Sequence, residues 1–153
     1  MHHDTREEQA RLVQTQEIGH ALIMSKQSMK DAFDKIVRED PRYPIDAYYF
    51  VCEALQHTST ILDKPKAGPE RHISGSELLE GIRSFAIQQF GPMAITVLKT
   101  WGISDTSHFG DVVFNMVDCE ILGKTGRDKL EDFAGGYKFS DAFARPFLPA
   151  AKR

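Results

Sequence analysis

Glu53 and His57 stand four residues apart, with Tyr49 one further turn back, so a carboxylate and an imidazole share one helical face in the manner of two metal ligands. A structural zinc site needs four ligands and the chain offers no second pair of this kind, so a polar or hydrogen-bonded pair is the favoured reading. Gly123-Lys124-Thr125 imitates the end of a phosphate-binding loop, but Asp118 occupies the place of its first glycine and the segment follows a helical pattern where a strand is required. Arg71 and His72 lie beside Ser74, yet a serine that caps a helix has its oxygen committed to backbone N–H groups, which argues against a nucleophile. His108 falls near a helix start, where the local dipole disfavours an imidazolium and suits a neutral hydrogen-bonding ring.

These residues must be positioned by helices. Ser28 reads as a cap for a helix carrying Met29, Phe33, Ile36 and Val37 on one stripe and ending at Pro41. Pro44 opens the next helix, and Ile45 to Leu55 is apolar nearly all round, as a central core helix would be. DKPKAGPE, residues 63–70, is a surface linker by its prolines, glycine and charges. Ser74 and Glu77 then form a capping box with Ile73 stapled to Leu78, and Ile82, Phe85, Ala86 and Phe90 continue that helix.

Gly91-Pro92 stops one helix and starts another, whose apolar face is Met93, Val97, Leu98 and Trp101. Gly102 suits the left-handed position that ends a helix, with Ile103 packing back on Leu98. Ser104, Asp105 or Thr106 caps the third helix of the series, which places Phe109, Val112, Val113, Met116 and Val117 at i, i+3, i+4, i+7 and i+8. Ile121-Leu122 and Leu130 to Phe133, on either side of Gly126-Arg127-Asp128, are compatible with a short β-hairpin. Gly135-Gly136, Tyr137, Phe139 and Phe143 suggest an aromatic strap laid over the domain.

The fold expected is therefore mostly α: a helical single domain with a C-terminal winged-helix-like unit of three helices plus the hairpin. An N-terminal extension, 1–27, with helical character precedes a globular domain, 28–143. That domain comprises a helical half, 28–62, the linker, 63–70, and the winged-helix-like unit, 71–139; a tail, 144–153, follows. At 153 residues such a chain can hide about 68–70% of its unfolded surface.

Three stretches, FDKIVREDPRYPIDAYYFVCEALQHT, RHISGSELLEGIRSFAIQQFGPMAITVLKTWGI and FGDVVFNMVDCEILGKT, resemble in this order a family of small bacterial proteins found mainly in the planctomycete and verrucomicrobial group. The similarity spans roughly Phe33 to Phe143. The family carries no assigned activity, so the resemblance implies one globular unit in a bacterial cytoplasmic setting and carries over no catalytic residue.

Charge then bears on function. Between Ile73 and Phe133 five basic side chains face nine acidic ones, a net charge of −4 in a chain whose net charge is −3. A recognition helix exposing Asp105, Ser107, His108, Asp111, Asn115 and Asp118 lacks the lysines and arginines whose counterion release drives duplex binding, so DNA is disfavoured. The expectation is a non-enzymatic protein-interaction module that meets another protein through Asp105, His108, Asp111, Asn115 and Asp118, with no cofactor. The alternative is RNA or ribosome association through the basic tail, Lys138 to Arg153; a metal-dependent enzyme using Glu53 and His57 ranks last. Cys52 and Cys119 are too few for a disulfide framework and fit a reducing compartment. Residues 1–11 show no apolar leader and the longest apolar run is Ala47 to Cys52, so a cytoplasmic protein without a membrane span is expected.

Overall fold

A computed structural model describes residues 26–65, 68–122 and 129–150. Their α-helices are α1 (Lys26–Glu39), α2 (Ile45–Ile61), α3 (Gly75–Phe90), α4 (Ala94–Thr100) and α5 (Thr106–Asp118). Short 3-10 turns occupy Pro69–Arg71, Gly91–Met93, Leu130–Phe133 and Arg145–Phe147, with one π turn at Ser140–Ala144. No strand occurs among the described residues, and the helices form a single compact domain around one apolar core.

Helix α2 runs through the middle, as its all-round apolarity demands. Tyr48, Val51, Ala54 and Leu55 are buried on it, and α3 packs along its length. Phe33 of α1 sits against the rings of Tyr48 and Tyr49, at centroid distances of 5.8 and 4.9 Å. Ser28 lies inside the helical span Lys26–Glu39 and is not its cap. Against α3 the backbones come close at Gly81: a Cβ there would fall 1.7 Å from Oγ1 of Thr58, a contact that only glycine tolerates.

The capping box is complete. Ser74 Oγ accepts from the Glu77 N–H at 3.1 Å and Glu77 Oε1 accepts from the Ser74 N–H at 2.9 Å, with Ile73 and Leu78 both buried beneath. Helix α4 ends as its glycine foretells: Gly102 has φ +79°, the Ile103 N–H reaches the Leu98 carbonyl at 2.9 Å, and Ile103 and Leu98 are both buried. Of the three candidate caps for α5, Asp105 does the work, accepting from the Ser107 N–H at 2.8 Å.

The expected wing is different. Residues 123–128, including Gly123-Lys124-Thr125 and the turn Gly126-Arg127-Asp128, lie outside the described residues. Ile121 and Leu122 form a bend, and Leu130–Phe133 is a 3-10 turn where a second strand was expected. Leu130 and Phe133 are three apart, which a helical turn brings to one face, and the Asp132 carboxylate accepts from the Lys129 N–H at 3.1 Å to start that turn. Phe133 then lies on Gly110 of α5, where a Cβ would meet it at 2.9 Å. Helix α4 packs mainly on α3 and the π turn, and α5 on α2 and the Leu130–Phe133 turn, so the two helices joined at Gly102 share few contacts.

The aromatic strap closes the far side. Phe139 and Phe143 are buried, edge to face at 5.0 Å, and Tyr137 donates its hydroxyl to the Leu79 carbonyl at 2.8 Å. Gly136 passes close beneath it, where a Cβ would fall 2.7 Å from the Leu79 Cδ1 and push that side chain aside. No helix among the described residues is long and apolar enough to cross a membrane.

Candidate functional site on helix α5 and the turn before α2

The outward residues of α5 are joined to the α1–α2 turn by a polar network. Asp40, at the end of α1, receives the guanidinium of Arg42 through Nη2 at 2.6 Å and Nε at 2.9 Å, and its Oδ1 accepts from the Arg42 N–H at 3.2 Å. Arg42 extends the same guanidinium to Asp111 of α5, Nη1 to Oδ2, at 3.2 Å. Asp111 also accepts from the Tyr43 hydroxyl at 2.6 Å. One turn on, Asn115 donates from Nδ2 to Asp40 at 2.9 Å and to the Tyr48 hydroxyl at 3.0 Å.

Burial and charge set how these groups titrate. The Arg42 guanidinium, aided by Asn115, holds the Asp40 carboxyl well below the usual carboxylate range. Burial, and then the carboxylate of Asp111, pushes the Tyr43 phenol up, so that hydroxyl stays a donor. Burial raises Tyr48 as well. Arg42 is the presented group: its side chain is 56% exposed, while those of Asp40 and Asp111 are only 23% and 20% exposed.

The five α5 residues singled out in the sequence therefore divide. Asp111 and Asn115 are engaged across the helix pair with Arg42, Tyr43, Asp40 and Tyr48. Asp105 is spent on its own helix end, and its hydrogen bonds with Ser107 hold its carboxyl below the ordinary range. His108 accepts at Nδ1 from the Ser104 N–H at 3.0 Å, which leaves its proton on Nε2, 3.6 Å from Asp105. Asp118, at the C-terminal end, is exposed. Arg42 and Asp40 escaped the sequence reading; the only local sign of them is an Asp-Pro-Arg turn, and nothing in the sequence pairs it with residues some 70 positions away.

The other candidates sit elsewhere. Glu53 is exposed, whereas half-buried His57 turns to α3, its Nε2 3.3 Å from the Ser84 hydroxyl and its ring 5.1 Å from that of Phe85. Among the described residues no three His, Cys, Asp or Glu side chains form a group able to hold a metal ion. Cys52 is half-buried with its Sγ 3.5 Å from the Met116 sulfur, and the desolvation of the thiol raises it far above the reactive range. In the basic C-terminal stretch, Lys138 and Arg145 are exposed but Phe139, Ala142 and Phe143 between them are core, so this part is a packed strap. No protein-family model, curated protein or solved structure matches the chain.

Proposed function

We propose that the chain is a non-enzymatic protein-interaction module that meets its partner over the α1–α2 turn and the outward side of α5. The carrying observation is Arg42, whose guanidinium is clamped by two carboxylates from separate elements and still stands 56% exposed. Arginine is among the residue types that dominate binding hot spots, and a side chain already immobilised gives up little further entropy when a partner arrives. The surrounding carboxylates Asp40, Asp111 and Asp118 weigh against a polyphosphate partner and favour a polypeptide surface. The reading thus keeps the α5 face and moves its centre from a row of acids to one fixed arginine. The three sequence blocks are the support for grouping the chain with the bacterial family they resemble.

Affinity capture from lysate of the source cells, with the wild-type chain as bait, tests this. One protein should be enriched stoichiometrically, and Arg42→Ala should weaken its binding about thirtyfold, the effect of a hot spot of about 2 kcal/mol. Exposed Asp118→Lys should weaken capture without touching the network. Recovery of no protein, or capture unchanged in both variants with helicity intact, would overturn the reading.

A further inference from the structure

Arg42 has fewer free contacts than its exposure suggests. Each of its three guanidinium nitrogens already donates to a carboxylate, Nε and Nη2 to Asp40 and Nη1 to Asp111. Two carboxylates against one guanidinium leave the cluster with a local charge of −1. A ring lies on one side of it: the Arg42 Cζ stands over Tyr43, 5.4 Å from the ring centroid. That ring is itself fixed, being buried and donating its hydroxyl to Asp111 at 2.6 Å.

Carboxylates therefore hold the edges of the guanidinium and Tyr43 lies against one side, while the 56% exposure of the side chain leaves the far side to solvent. Pro41, the preceding residue, is exposed too and adds an apolar ring to the same turn.

A carboxylate from a partner is poorly received here. It would bring a third negative charge to a group whose nitrogens are all engaged, and it would have to displace Asp40 or Asp111 to form a bidentate pair. A partner's ammonium group would find those two carboxylates already holding Arg42 and only 23% and 20% exposed. An aromatic ring needs no free N–H, because the face of a flat, weakly hydrated cation attracts a π system while its edges stay hydrogen-bonded elsewhere. Resting on the protein-interaction reading above, we propose that the partner covers Arg42 with an aromatic side chain, stacked on the guanidinium opposite Tyr43 and bordered by Pro41. The cation then lies between two rings.

A library of random peptides panned on the full chain, with binders of Arg42→Ala discarded, tests that chemistry directly. The retained peptides should share a Trp, Tyr or Phe and show no enrichment of Asp or Glu. In titration calorimetry, changing that aromatic residue to Leu should weaken binding about tenfold on the wild type and leave binding to Arg42→Ala nearly unaltered. Arg42→Lys, which keeps the charge and loses the plane, should bind as weakly as Arg42→Ala. Helicity measured on each variant separates a lost contact from lost folding. The proposal is overturned by peptides selected for carboxylates, by a panning that yields no Arg42-dependent peptide, by an equal cost of the Leu change on both proteins, or by full binding to Arg42→Lys. If lysate capture still depends on Arg42 in any of those cases, the stacked ring alone falls and the interaction module stands; capture indifferent to both Arg42 and Asp118 removes both.

Discussion

Helix α2 is held on two sides by contacts of opposite material. Toward α3 the contact is apolar and jammed: Thr58 fills the space above Gly81, and the rings of Phe50 and Phe85 meet at 5.5 Å. Toward α5 and the turn before it, the contact is hydrogen-bonded and half-wet, running through Asp40, Arg42, Tyr43, Tyr48, Asp111 and Asn115. The first depends chiefly on volume. The second depends on charge, and water competes for every group in it. A close-packed seam tolerates almost no added atom, whereas a partly exposed ion network loses one member for a modest cost.

The largest expected effect attacks the seam. Gly81→Ala places its methyl 1.7 Å from Thr58 Oγ1 and 2.7 Å from Thr58 Cβ, so the helices must separate, at a cost of about 3 kcal/mol. Thr58→Ala in the same chain should restore only part of this, because the Thr58 Cβ clash persists. Urea unfolding midpoints measure both. Full rescue, or a silent Gly81→Ala, would mean the seam is looser than the distances state.

The network should respond to pH through Asp40. Asp40 titrates well below its unfolded value of about 3.9, so its contribution is present above about pH 4 and lost as pH falls below it. Asp40→Asn should cost about 1 kcal/mol near neutrality, discounted for the exposure of Arg42. Below about pH 4 the unfolded chain takes up a proton that folded Asp40 still refuses, so the wild type's advantage shrinks progressively and the gap should narrow. Unfolding midpoints at pH 7 and pH 3 that differ equally between the two proteins would remove Asp40 from the network's energetics.

The smallest effect is a gain. Glu120 follows α5 with φ +61°, and the Ile121 N–H returns to the Met116 carbonyl at 2.9 Å, the same helix ending that Gly102 makes for α4. Glu120→Gly relieves a left-handed side chain and should raise stability by about 0.5–1 kcal/mol, reduced by glycine's extra entropy when unfolded. Asp63, at φ +51° after α2, should gain less on Asp63→Gly, because aspartate tolerates that region better. Thermal midpoints of the two variants give the order, and a loss in the Glu120 variant would count against the strain.

These helix ends show how far local signals reach. Gly102 announces its turn because glycine is the residue that enters the left-handed region at no cost; Asp63 and Glu120 make the same turn and announce nothing. The Leu130–Phe133 segment misleads in the other direction. Its spacing of three suits a 3-10 turn, and the glycines around it suggested a hairpin only because nothing local reveals that Phe133 has Gly110 to cover.

The amino-acid sequence alone determined the helical class, the capping box at Ser74 and Glu77, the glycine ending at Gly102, the central place of α2 and the aromatic strap. Each rests on groups within about four residues of one another or on an apolar period, which the chain carries whatever it later packs against. Only the tertiary structure decided that Arg42 meets Asp111, that Asn115 bridges Asp40 and Tyr48, and that His57 turns to Ser84. Those pairings join distant positions, and they exist because helix packing brings the two surfaces together, an event with no periodicity in the sequence to foretell it.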